Sequence, residues 1–547
     1  MGRSGVTTLT CLPFNKKRRR GNMNVELNLI RRFNVGDVLK RTALRYPEKT
    51  AIIFEGKEIS YSDLEKMTNR VAHVLLEKGV KRGDVVGILA LNSPEYAALW
   101  FAAARIGALL APINAGLEPR TISFIVEKSK PKVVFVDSLL APLLKAVPQF
   151  ETVPVKVSMG GSVEGYESLE ELISSASDTF PEVYVESDDP TTLLFTSGTE
   201  SLPKGVLNSH ANWYAALIAA LADLEFRHDQ RTLLSLPLFH SAGLYVIFAS
   251  VACGCTGFMT RKVDVPQILE GIQKHRLTYI VFPATVYQGL LQVPGIEKVD
   301  FSSVTHAIVF QYLPKSAFLR WKKLIPGAVW FSYWGQSEMT PLGACIKMRT
   351  EEEMEKALVH PDPIGSPLLP VELRIVDEEG NDVPPGGIGE MVTRSPAVML
   401  GYMDEPEKTG ETFRGGWHHT GDMGRIDENG ILYFVDRVKD MIKTGGENVS
   451  SQEVEEVVAS HPKVTGVAVI GMPDPKWIEA VTAVVTVKEG ETLTEEELVS
   501  YCRERLAGFK VPKRVIILDS LPTSPTGKVL KRELRKTLLE KEGGEEA

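Results

Sequence analysis

Thr196-Ser197-Gly198-Thr199-Glu200-Ser201-Leu202-Pro203-Lys204-Gly205 follows directly on the apolar run Thr191–Phe195 and precedes a helical pattern from about Asn212 to Leu224. The run reads as a strand, so the polar stretch sits at a strand's mouth. Hydroxyls, glycines and a lysine placed there can wrap a polyphosphate, with backbone N–H groups and side-chain donors facing the anion. The stretch lacks the G-x-x-x-x-G-K-[ST] of the common nucleotide loop. Taken alone it reads equally well as a polar Gly/Pro turn. Its weight therefore rests on what surrounds it.

The same alternation extends outward. Lys132–Asp137 reads as a buried strand, and Pro94–Ile106 as a helix with Ser93 as N-cap and Pro94 at its first position. Strands alternating with helices predict α/β sheets with helices on their faces. Between Pro370 and Tyr402, short strands punctuated by Pro384-Pro385-Gly386-Gly387 predict an all-β portion. After Asp436 short α and β elements follow: a helix opened by a Ser450–Glu453 capping box, a strand Val481–Val487 and an amphipathic helix Glu495–Leu506. A domain boundary is expected near Asp436–Lys439.

Composition narrows the function. A chain of 547 residues, 44% hydrophobic and 24% charged, is too long for one core, and two or more domains are expected. The net charge of -8 argues against nucleic acid as the main partner, since phosphate binding needs a basic surface. The basic run Lys16-Lys17-Arg18-Arg19-Arg20 reads as part of a solvated leader over residues 1–22. A short apolar stretch near Val6 precedes it, the reverse of secretory order. The cysteines Cys11, Cys253, Cys255, Cys345 and Cys502 are scattered, as expected of reduced thiols in a cytoplasmic protein. The apolar segment from Tyr96 to Ile113 carries Arg105, Gly107 and Pro112, which suits a buried helix and turn rather than a membrane span.

Further motifs follow the phosphate loop in order: Pro237-Leu238-Phe239-His240, Trp334-Gly335-Gln336-Ser337-Glu338, Gly389-Glu390 and Trp417-His418-His419-Thr420-Gly421-Asp422. Then come Asp436-Arg437-Val438-Lys439-Asp440, Lys443-Thr444-Gly445-Gly446-Glu447-Asn448 and Pro522-Thr523-Ser524-Pro525-Thr526-Gly527-Lys528. With these in sequence, the chain resembles the adenylate-forming superfamily of acyl-CoA synthetases, firefly luciferase and peptide-synthetase adenylation domains, over about Asn34 to Leu538. The resemblance implies a large N-terminal domain (23–436) of two α/β sheet subdomains plus a distorted β-barrel, and a small mobile α+β C-terminal domain (437–547) hinged near Lys439.

It also implies the chemistry. A carboxylic acid attacks the α-phosphate of ATP, and coenzyme A then displaces AMP. Two anions must meet, so the site has to neutralise charge and fix an in-line geometry. By resemblance Thr196, Ser197, Gly198, Thr199 and Lys204 cradle phosphates, and Thr196 and Glu338 hold Mg²⁺. Trp334, standing where the family usually has Tyr, stacks on adenine beside Gly335, Gln336 and Ser337. Asp422 accepts the ribose hydroxyls and Arg437 contacts ribose or phosphate. Lys528 stabilises the adenylation transition state, and His240 gates the acyl pocket. Lys439 is the hinge, after which Lys443, Gly445 and Gly446 border the pantetheine arm. His418 and His419 are expected to serve packing.

Four departures stand out: Glu200-Ser201 where Thr-Gly is usual, Trp334 for Tyr, Val309-Phe310-Gln311-Tyr312 for a Gly-rich segment, and Trp477-Ile478-Glu479 where Gly-Glu is frequent. Apolar residues from His240 to Ile247 and Val281 to Leu290 suit a medium- or long-chain fatty acid. An aryl or branched acid is the alternative, as is a stand-alone enzyme loading a carrier protein. A homodimer is left open.

Overall fold

A computed structural model describes residues 25–196, 202–310, 313–360, 362–445, 447–523 and 529–545. The basic leader at 1–22 falls outside them. Chain contacts divide the molecule into two units: the chain to Ile268 with Gly335–Leu342 and Arg394–His418, and Leu269–Trp334 with Gly343–Thr393 and the chain from His419 onward.

In the first unit, strands Val85–Leu89, Leu109–Pro112, Val133–Asp137 and Val155–Met159 pair in parallel. The first three are buried along their whole length, as parallel strands covered on both faces are. Pro190–Thr196 extends this sheet beside Leu109–Pro112 and returns antiparallel as Lys204–Ser209. A second parallel set joins Thr50–Phe54, Thr256–Met259 and Arg231–Leu234. These are the two expected α/β sheets.

Helix Pro94–Arg105 starts as its sequence dictates: the Ser93 side chain accepts the Tyr96 N–H, and Pro94 occupies the first turn. Arg105 is fully buried, and Glu65 grips its guanidinium with both oxygens at 2.8 and 3.1 Å. A buried charge survives only when so paired. Among the described residues no helix is long and apolar enough to cross a membrane. The described cysteines, Cys253, Cys255, Cys345 and Cys502, are free and buried.

In the second unit, Tyr279–Pro283, His306–Phe310 and Val329–Gly335 run parallel. The sheet continues through Gly343–Met348, Pro363–Pro367, Leu432–Arg437, His418–Ile426 and Ile388–Arg394 to Glu372–Val376. Of the distorted β-barrel expected here, the described strands form no closed ring. A ring needs every strand paired on both sides, whereas in the sheet path Glu372–Val376 is an end strand, beside Ile388–Arg394 alone. The prolines and glycines at 384–387 serve the turn between those two strands.

The C-terminal stretch forms its own sheet from Ile442–Thr444, Glu447–Val449, Val464–Asp474, Ile478–Val487 and Arg514–Ile517. Alternation along Ile478–Val487 sends Val481, Ala483 and Val485 to one core, with Leu498 and Cys502. Val484 faces the opposite one, with Leu534 and Leu538. Ser450 caps helix Ser451–Ala459 by accepting the Glu453 N–H. The reciprocal half of the expected capping box is replaced: the Glu453 carboxylate holds Lys510 at 2.6 and 2.7 Å. An ammonium competes successfully with a neutral backbone donor for a carboxylate.

Candidate active site

The register of the strand pair Pro190–Thr196 and Lys204–Ser209 sets Thr196 directly opposite Lys204. A hydroxyl at Thr196 and an ammonium at Lys204 thus face each other at the end of this antiparallel strand pair. Ser197, Gly198 and Thr199, with the atypical Glu200-Ser201, lie outside the described residues. The Lys204 ammonium sits 5.0 Å from the ring centre of Tyr402, and the Tyr402 hydroxyl donates to Glu338 Oε1 at 3.1 Å. Burial, and then the Glu338 charge, raise the Tyr402 pKa, so the phenol stays a donor. Lys204, Tyr402 and Glu338 thus form one continuous polar row in the first unit.

Glu338 rides on a tight turn that its neighbours fix. Asn208 Nδ2 donates to the Ser337 carbonyl at 3.1 Å and to Thr340 Oγ1 at 2.9 Å, while Thr340 Oγ1 donates to the Ala397 carbonyl at 2.6 Å. Ser337 and Ser241 hydroxyls meet at 3.0 Å. Gly335 is obligatory at the start of this turn, because a Cβ there would lie 1.6 Å from the Pro341 oxygen. A hydroxyl at Thr196 and a carboxylate at Glu338 are hard oxygen donors, the set that suits Mg²⁺ when substrate phosphates complete its shell.

His240 closes the loop before helix Ser241–Cys253. Its Nε2 is buried without a partner, and burial lowers its pKa to about 4, so the ring is neutral. Asn92 holds the loop by accepting the Leu238 N–H at 2.9 Å and donating to the Leu236 and Thr260 carbonyls.

The second unit builds a separate constellation around Asp422, which is 1% exposed. The Trp334 indole N–H donates to Asp422 Oδ2 at 2.9 Å, and Arg437 Nε lies 3.0 Å from Oδ1. Asp422 and Arg437 are register partners on adjacent strands. The Thr-Gly-Asp turn is pinned by Glu390, whose Oε1 accepts the Gly421 N–H at 3.0 Å while Oε2 meets His419 Nδ1 at 2.7 Å. This explains the Gly389-Glu390 motif, and His419, for which packing was expected, is held by Glu390. His418 is buried against Phe413, with ring centres 6.1 Å apart.

Asp362 belongs to this group, and no motif announced it. It is buried with a left-handed backbone (φ 50°). Burial, and then the charge of Asp422, raise its pKa to about 7. Lys439 also lies within the field of this cluster: burial lowers its pKa, the Arg437 charge adds to that, and Asp440 and Asp422 oppose it.

Lys443 lies on strand Ile442–Thr444, which pairs antiparallel with Glu447–Val449, and Gly445 follows that strand. Gly445 has φ 61°, donates its N–H to the Trp477 carbonyl at 2.8 Å, and would press a Cβ to 3.0 Å from the Trp477 ring. The Lys443 N–H donates to Glu479 Oε2 at 2.9 Å. The atypical Trp477-Ile478-Glu479 is thus the support of this hairpin. Gly446 and Lys528 lie outside the described residues.

Residues 39–403 match the family model described as AMP-binding enzyme, and residues 453–528 that of the AMP-binding enzyme C-terminal domain. The chain is 34% identical to 4-hydroxybutyrate–CoA ligase 2 of Metallosphaera sedula over 91% of its length and 93% of that protein's. It is 32% identical to the long-chain-fatty-acid–CoA ligase FadD13 of Mycobacterium tuberculosis, over 92% and 98% of the two chains. Among solved structures, an anthranilate CoA ligase in complex with anthranoyl-AMP superposes with a TM-score of 0.84 at 27% identity, covering 92% of this chain and 97% of that one.

Proposed function

The chain belongs to the AMP-binding enzyme family and is an AMP-forming acid–thiol ligase using ATP and coenzyme A, and from that premise we propose that its acid is a medium- or long-chain fatty acid. Nucleotide binding is carried by the buried Asp422, flanked by an indole and a guanidinium. A deep carboxylate beside an aromatic ring suits a nucleoside: two acceptor oxygens for the ribose diol and a face for the base.

In this reading Thr196 and Lys204 at the end of their strand pair meet the phosphates, and Thr196 and Glu338 hold Mg²⁺, which neutralises phosphate charge when bound. Tyr402 orients Glu338. Arg437 moves between Asp422 and the nucleotide. Neutral His240 borders the acyl pocket, where a buried charge would repel a hydrocarbon tail. Residues 437–547 act as a mobile cap turning about Lys439. It presents Lys528 for acyl-adenylate formation, then the Lys443–Gly446 hairpin for attack by the thiol.

The apolar character of 240–247 and 281–290 supports a hydrocarbon tail, and so does the long-chain relative. An aryl acid is the second reading, favoured by the superposition on an anthranilate ligase. Acid-dependent exchange of pyrophosphate into ATP, run over straight-chain and aryl acids with and without coenzyme A, decides between them. Fatty acids from about eight carbons upward are expected to give the highest kcat/KM. Preference for an aromatic acid overturns the first reading, and release of ADP in place of AMP overturns both.

A further inference from the structure

Trp334 does more than offer a ring face. Its Nε1–H points along the ring plane into the carboxylate of Asp422, at 2.9 Å from Oδ2. The ring is packed tightly against the Gly343 backbone: a Cβ on Gly343 would stand 2.5 Å from Cε3 and 2.9 Å from Cζ3, so a glycine there leaves room for the indole. Trp334 is 7% exposed and Asp422 1%, so neither has room to turn. Arg437 contacts the other carboxylate oxygen, but it lies on the strand leading to Lys439, and its side chain is 37% exposed. The indole is therefore the rigid partner and the guanidinium the movable one.

We propose that Trp334 is a positioning residue for ribose recognition: its indole N–H fixes the plane of the Asp422 carboxylate, so one side chain sets both the base-stacking surface and the ribose acceptor. This rests on Asp422 being the ribose acceptor. A carboxylate accepts two vicinal hydroxyls well only when its plane is fixed, since free rotation leaves at most one bond well aligned. The tyrosine usual at this position carries its polar atom at the far tip of the ring. An indole carries it on the ring edge, so the coupling is built into this chain's own residue. The N–H uses one lone pair of Oδ2 and leaves another for a hydroxyl.

The test separates positioning from stacking. Binding of ATP, 2′-deoxy-ATP and 3′-deoxy-ATP is measured by calorimetry on the full-length protein and on Trp334→Phe, which keeps an aromatic face and loses the N–H. A hydrogen bond to a charged group predicts that the wild type binds each deoxynucleotide ~10-fold more weakly than ATP. In Trp334→Phe that penalty is expected to shrink to ~3-fold or less, because a carboxylate that swings no longer engages both hydroxyls. If all three nucleotides weaken by one common factor and the deoxy penalty persists, Trp334 only stacks and the proposal falls.

A second measurement needs no nucleotide. The indole ¹H–¹⁵N resonance of Trp334, identified by its loss in Trp334→Phe, is expected to shift in Asp422→Asn. An unmoved resonance overturns the inference even if the enzyme is fully active. A protein that binds no ATP, with the resonance still shifting, leaves the hydrogen bond standing and removes the functional reading instead.

Discussion

Lys204, Tyr402 and Glu338 are drawn from three separate stretches of chain, yet the phenol bridges them, lying 5.0 Å from the ammonium at its ring centre and 3.1 Å from the carboxylate at its hydroxyl. Tyr402→Phe keeps the ring and removes the donor. If Glu338 is the Mg²⁺ ligand, losing one hydrogen bond to it raises the KM for MgATP by about 3- to 10-fold and shifts the Mg²⁺ dependence of pyrophosphate exchange upward. An unchanged Mg²⁺ titration means Tyr402 does not orient Glu338. Lys528→Ala is expected to slow adenylation by roughly two orders of magnitude, the worth of one transition-state contact of about 3 kcal/mol. Thiolation of supplied acyl-adenylate should survive, and equal loss of both half-reactions removes the assigned role. That Trp334, Asp422 and Arg437 come together was legible because their motifs carry their own context. Tyr402, Asn92 and Asp362 were not. Each works through partners far off in sequence, Tyr402 on Glu338 and Asn92 on Leu236 and Leu238, and no local pattern records such contacts.

Elements were legible where local chemistry decides them. Ser93 and Pro94 announced the helix start, and the valine-rich apolar run announced strand Val133–Asp137. Whether the expected barrel closes was not legible, because closure depends on pairing between distant strands. Ser450 misled by half, since Lys510 took the Glu453 carboxylate from across the fold. The hairpin Ile442–Val449 shows the same mixture. Gly445 reads from sequence as a turn residue, while its seat against Trp477 does not. Gly445→Ala forces a side chain into a left-handed backbone and against an indole, a cost of about 1–3 kcal/mol at a strained position. Because the hairpin serves only the thiol step in the proposed cycle, thioester formation should fall by ~10-fold or more while pyrophosphate exchange stays within ~2-fold. Equal slowing of both steps would place the hairpin elsewhere in the cycle.

For the whole molecule, the buried titratable groups set opposing pH dependences. His210, fully buried with Nδ1 accepting the Val35 N–H at 3.1 Å, has its pKa lowered to about 3, by burial first and then by Arg32 and Arg82. His240 lies at about 4. Unfolded, both titrate near 6.5, so the unfolded chain binds more protons below that pH. Their contribution to stability is complete above about 6.5 and is lost as pH falls toward 4. Asp362 has the opposite sign. Its folded pKa of about 7 exceeds the unfolded value near 3.9, so the folded chain holds the extra proton, and stability declines as pH rises from about 4 through 7. Between about 4 and 6.5 two histidines outweigh one carboxylate, and the net slope is upward. From there to just above 7 Asp362 is the one of these three groups still titrating, and their summed slope turns down. Asp362→Asn removes a contribution that declines all the way from about pH 4 to 7: melting temperatures measured from pH 5 to 8.5 should rise more steeply than wild type up to about 6.5, and fall less than wild type between there and about 7. A variant whose melting temperature falls above pH 6.5 as steeply as wild type would mean that Asp362 is already ionised in the folded protein, and that its proximity to Asp422 is compensated by other charges in the site.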